Sequence, residues 1–242
     1  MGIVGTMIIV GLLLPVTLFA QGTQAEFPSE LKGFCAKINE ITSRIDQRIA
    51  EKETKLKIKW QQRANNLESR RASRDMQRVE NRASRDTSYE ERYKKLEARA
   101  TTESQKQAVA VFKAASESAI IARKSAIDTA INTFKQSTDQ TIASRKSAID
   151  TAINTFKTAK MAAFEKAKAD CAAGIDGKIT RETLRSSMKS AQEKFKSDRQ
   201  AIEKIKDSLE LVRQDKKQIF EKAISDFKLE MEKARNDLKT VF

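Results

Sequence analysis

The sequence predicts an all-α protein, an elongated antiparallel three-helix bundle or coiled coil with an 11-residue periodicity. Three observations predict it. Phe34 to Ala173 contains neither glycine nor proline, the residues least tolerated inside a helix. The thirteen residues RKSAIDTAINTFK occur twice, at Arg123–Lys135 and Arg145–Lys157, 22 positions apart. A stripe on 3-4-4 spacing runs from Val109 through Phe112, Ile120, Ile127, Ile131, Phe134, Ile142, Ile149, Ile153, Phe156, Phe164 and Ala167 to Cys171. Such a spacing closes every 11 residues, about 3.67 per turn, and gives straight or slightly right-handed packing. Ser116, Arg123, Thr138, Arg145 and Lys160 complete the series as polar members, which can fix register in a seam.

Composition points the same way. Charged residues make up 33% of the 242 and aromatic residues 6%, a profile of long helices. So polar a chain also has a disordered reading, most of all around residues 68 to 90; the stripe argues against it elsewhere.

Residues 1–25 read as an export signal. Gly2 to Ala20 is apolar apart from Thr6 and Thr17, and Thr23 and Ala25 supply the small residues of a cleavage region. No Lys or Arg precedes the apolar run, so an uncleaved anchor formed by residues 2–20 stands as the alternative. Residues 26–33 are a linker. In either case the rest of the chain lies outside the cytoplasm, in the periplasm, at the cell surface or secreted.

Residues 34–173 form a long helical hairpin. Phe34, Ile38, Ile41, Ile45, Ile49, Leu56 and Trp60 open its apolar face; beyond Leu67 the face thins to Ala72, Met76, Val79 and Ala83, then recovers at Tyr89, Tyr93 and Leu96. Cys35 and Cys171 are the only cysteines, and an even pair in an exported protein invites a disulfide. Paired at one end of a hairpin, they place the turn midway between them, within residues 101–105. Thr102 with Gln105, and Ser104 with Gln107, have capping-box spacing there. Because that turn lacks Gly and Pro, one continuous helix over 34–173 remains open, as does a break at Asp86-Thr87-Ser88. Residues 174–179, with Gly174 and Gly177, form a second turn. Thr180 then caps a third long helix over 180–242. Its apolar spacing is nearer seven: Leu184, Met188, Ala191, Phe195, Ile202, Ile205, Leu209 and Val212, continuing through Phe220, Ala223, Phe227, Ala234, Leu238 and Val241.

The chain offers little to catalysis. It has no histidine, the commonest neutral-pH acid–base and metal ligand. No phosphate-cradling glycine loop and no Cys/His metal set occur. Asp176-Gly177-Lys178-Ile179 matches half a calcium loop, but the ligand positions carry one carboxylate, far short of what calcium takes. No enzyme, cofactor, metal or small-molecule substrate is expected.

The net charge of +14 favours acidic partners. Arg71, Arg74, Arg78, Arg82 and Arg85 fall on 3-4-4-3 spacing and form one helical ridge, a candidate polyanion contact. The bland alternative is that acids on neighbouring helices balance it. An acidic polymer or an anionic membrane surface fits the ridge; nucleic acid does not, since Trp60, Tyr89 and Tyr93 are too sparse to stack bases. A protein partner or self-association is expected.

Phe34 to Glu53, FCAKINEITSRIDQRIAEKE, resembles the start of the mature region in uncharacterised secreted helical proteins of bacteria. The resemblance implies an exported helical protein. By composition and hairpin pattern the chain is also similar to Skp-like periplasmic chaperones, as an analogy of mechanism. Together these readings predict a non-enzymatic structural or interaction protein of the bacterial cell envelope with a long basic helical surface. The alternatives are a holdase-like chaperone for unfolded exported proteins and a membrane-tethered spacer.

Overall fold

The computed structural model describes residues 33–204 and 207–242. The expected export signal and almost all of the linker lie outside the described residues. Among these residues the structure is all-α: α1 (Phe34–Arg99), α2 (Glu103–Ala172), α3 (Gly177–Lys204) and α4 (Asp207–Lys239). No described helix is long and apolar enough to cross a membrane.

The breaks have local causes. The chain leaves α1 at Arg99 and enters α2 at Glu103, so residues 34–173 are not one helix. Thr102 caps α2. Its hydroxyl accepts from the Gln105 backbone N–H at 3.2 Å, and the Gln105 side-chain oxygen accepts from the Thr101 and Thr102 N–H groups at 2.9 and 3.2 Å. Of the two capping-box pairs in the sequence, this one forms; it satisfies donors that a helix start leaves without partners. At Asp86-Thr87-Ser88 the helix continues, with the Thr87 and Ser88 hydroxyls bonded back to the carbonyls of Ala83 and Ser84 rather than capping a new helix.

The second turn departs from expectation. Gly174 takes φ +75°, and Gly174 and Ile175 return N–H bonds to the carbonyls of Cys171 and Asp170. This is a Schellman stop, and it favours glycine at that one position. The next helix begins at Gly177, three residues before the expected start. Asp176 is its cap: Oδ1 accepts from the N–H groups of Lys178 and Ile179 at 2.8 and 3.3 Å. A carboxylate at a helix N-terminus also meets the positive end of the helix dipole. Thr180, the expected cap, is instead buried inside the first turn of α3.

The chain divides into two compact units, one containing residues 33–68 and 144–204, the other 69–143 and 207–242. In unit 1 a core joins α1, α2 and α3 through Phe34, Ile38, Ile45 and Ile49 with Phe164 and Ala167 and with Leu184 and Met188. Cys35 and Cys171 pack on this core as a disulfide, Cα atoms 5.6 Å apart. A second core of the same unit gathers Leu56, Ile149, Ile153, Phe156, Ala191, Phe195 and Ile202, with Phe156 and Phe195 stacked at 5.0 Å. In unit 2 a core joins Tyr93, Phe112, Ala119, Met231 and Ala234. Every member of the α2 stripe, polar ones included, is buried or half-buried.

Candidate functional site

The arginine ridge does not face solvent as one surface. Within unit 2, Arg71 pairs with Asp139 at 2.9 Å and Arg82 grips Asp128 with two bonds, 2.8 and 2.9 Å. Arg78 bonds Asp75 at 2.8 Å and approaches Asp128 at 3.7 Å. Arg74 and Arg85 are exposed. Three of the five proposed polyanion ligands are therefore balanced by acids inside the fold, and two remain available.

The pairs follow a rule. Asp75 receives Lys135 at 2.6 Å and Asp86 receives Lys124 at 2.6 Å. Thus the R-x-x-x-D of each RASRD echo on α1 meets a K-x-x-x-D on α2, running antiparallel: Arg71 and Asp75 meet Asp139 and Lys135, Arg82 and Asp86 meet Asp128 and Lys124. A step of 11 residues along α1 is matched by a step of 11 back along α2. The 11-residue echo is a charge code for register. The signal that reveals it is the pair of K-x-x-x-D segments Lys124/Asp128 and Lys135/Asp139, themselves 11 residues apart. Bidentate guanidinium–carboxylate contacts give such a code its geometric specificity.

The ridge faces inward because α1 has one rotational phase. Steps of 11 from Leu56 and Trp60 reach Leu67, Arg71, Arg78, Arg82, Tyr89 and Tyr93, all buried or half-buried. Ala72, Met76, Val79 and Ala83, expected to continue the apolar stripe, are exposed; Met76 is 60% and Val79 66% accessible. An unbroken helix cannot rotate locally to bury two modest side chains when large apolar residues fix both flanks.

These contacts tune the carboxyls. The Lys135 hydrogen bond holds Asp75 below the usual carboxylate range, with Arg78 adding to it, and the Arg82 fork does the same for Asp128. Both contributions are present above the ordinary Asp value and are lost as pH falls through the depressed one. The duplicate segment allows a controlled test. Asp128 and Asp150 occupy the same place in the two copies, but Asp150 is exposed and makes no ion pair among the described residues. Asp128→Asn should cost about 1 kcal/mol in urea denaturation, and Asp150→Asn nothing measurable. Equal effects would refute the register code.

The other charges of the duplicate diverge as well. Arg123 lies over the Phe227 ring at 3.9 Å, whereas Arg145 is 5% exposed and bonded to Glu203 at 3.3 Å. Lys135 serves Asp75, and Lys157 serves Glu53 at 3.2 Å. Unit 2 also carries an open groove of about 430 Å³ between α1 and α4. Tyr89, Phe227 and Met231 line it with Lys228, Arg235 and Lys239, together with Glu232 and Asn236. Among the described residues no cluster of acids or cysteines could hold a metal ion.

No protein-family model, curated protein or solved structure matches this chain.

Proposed function

We propose that the chain is a non-enzymatic, exported structural or interaction protein of the bacterial cell envelope, presenting a basic helical surface to acidic partners. The observation that carries this reading is the charge left over after internal pairing. Of the ridge, Arg74 and Arg85 stay exposed on one helix, within a chain of net charge +14. The Cys35–Cys171 disulfide supports export, since such bonds persist in oxidising compartments. Arg74→Gln with Arg85→Gln should weaken binding to heparin or anionic vesicles several-fold and flatten its salt dependence. Arg82→Gln should lower stability and leave binding unchanged. The reverse pattern would sink the reading.

The same proposal includes an elongated antiparallel three-helix bundle with 11-residue periodicity. Helices of this length span about 100 Å at 1.5 Å per residue. Small-angle scattering with mass determination should return a monomer of that length; a rod twice as long counts against it. An exported chain starting at Glu26 by mass spectrometry supports a removed signal, and an intact Met1 supports the tethered spacer.

The unit 2 groove favours a second reading, a holdase for unfolded exported proteins. Its apolar side chains lie among polar and charged ones, three basic and one acidic, and offer contact to exposed apolar segments of clients. Suppressed aggregation of an unfolded client at stoichiometric amounts, weakened by Tyr89→Ser at the half-buried rim of the groove, is the required result.

A further inference from the structure

Polar side chains on α1, α2 and α3 flank one core of unit 1. Trp60 packs against the core of Leu56, Ile149 and Ile202. Arg63 lies three residues after Trp60, Arg145 four before Ile149, and Arg199 three before Ile202, so each sits about one turn from a core residue of its own helix. Arg145 reaches Glu203 at 3.3 Å, and Glu203 is four residues beyond Arg199 on α3. Arg63 lies close enough to Arg145 to feel its charge; burial first, and that charge second, weaken its hold on a proton.

Three N–H groups of these residues are buried with no acceptor: Trp60 Nε1, Arg63 Nη1 and Arg199 Nε. Neither Arg63 nor Arg199 has an ion pair among the described residues. Asp150, on the adjoining stretch of α2, is exposed. A buried donor without a partner costs about 1–3 kcal/mol, more when charged. Native proteins keep few of them, and an ion is one of the ordinary reasons for a cluster. All three orphan groups are donors, and cations outnumber the carboxylate among them. A water would accept hydrogen bonds but leave the charge; an anion with several acceptor oxygens answers both. Guanidinium forks match such oxyanions in plane and spacing.

We propose that Trp60, Arg63, Arg145 and Arg199 form a binding site for a small oxyanion of phosphate, sulfate or carboxylate type. The site is separate from the exposed arginines of unit 2 and does not rest on where the protein resides. A ligand bound only by the folded chain raises its melting temperature by mass action.

Thermal melts of the full chain test this at constant ionic strength in chloride, with inorganic phosphate, sulfate and acetate titrated in separate arms. At least one oxyanion should raise Tm saturably, at least tenfold more effectively than added chloride; the arm that responds distinguishes the tetrahedral from the planar ligand. Arg63→Met should melt at or above wild type in chloride, because a like charge is gone, and its oxyanion response should fall at least tenfold. Trp60→Phe keeps every arginine and should lose several-fold. Arg74→Gln, exposed in unit 2, should keep the full response. The proposal is overturned if no oxyanion exceeds chloride, or if Arg63→Met and Arg199→Gln respond like wild type. Should Arg63→Met fail to fold, Trp60→Phe and Arg199→Lys decide by the same readout.

Discussion

Replacing both Cys35 and Cys171 by Ser should destabilise unit 1 by about 3–5 kcal/mol. The bond closes a sequence separation of 136 residues, which places it near the upper end of the chain-entropy scale. Its effect should be local in the native state. Both cysteines pack on the core of Phe34, Ile38, Phe164 and Leu184. Hydrogen exchange near Phe34–Ile49 and Phe164–Met188 should therefore speed up before exchange around Tyr93 and Phe112, which belong to the other unit. An unchanged denaturation midpoint in reductant would show that the apolar core alone closes the base of the hairpin. The serine variant also separates the bond from burial of the thiols, since either single substitution removes the cross-link as completely as both.

Lys160 should make the protein more stable in mild alkali. It is 2% exposed on the inward stripe of α2, and its ammonium lies 4.8 Å from the Phe156 ring centre. Burial, with the Lys52 charge as the lesser cause, pushes its pKa down from 10.5 to about 8. The folded state thus releases a proton that the unfolded chain retains. Below about pH 8 both states are charged and the full desolvation penalty stands. Between about 8 and 10.5 the unfolded chain binds more protons, so stability rises with pH, by about 3 kcal/mol at most. Tyr93 works oppositely above pH 10, because burial raises its pKa and the unfolded hydroxyl ionises first. The clean window is therefore pH 8–10, read by urea denaturation. Lys160→Met should flatten the rise there. A wild-type profile that is flat across the window would place the ammonium in contact with solvent.

Much of the fold is legible in the chain because helix punctuation is local. The Thr102–Gln105 box, Gly174 and the stripe positions act within one or two turns, and a reader of the sequence meets their partners nearby. The start of α3 differs from the expected one for an equally local reason. Asp176 and Thr180 are both cap formers, and the Schellman stop at Gly174 leaves the nearer one in place. The face of α1 between residues 69 and 86 was harder. Its residues alone favour burying Met76 and Val79, and only the acids that α2 brings opposite Arg71 and Arg82 turn the arginines inward. The candidate oxyanion site was not legible, since its four residues are spread over three helices and have no motif spacing.

The sequence by itself determined that the described residues are helical and where the first two helices stop, since these follow from backbone propensity and from side chains within one turn. It also determined that the two thirteen-residue copies would present the same face. What each copy does there was decided by tertiary structure. Asp128 meets an arginine fork and Asp150 meets solvent; Arg123 covers a phenylalanine ring and Arg145 is buried against Glu203. Identical residues on an identical helix differ only in what the other helices bring opposite them, and that is set by register between segments far apart in the chain.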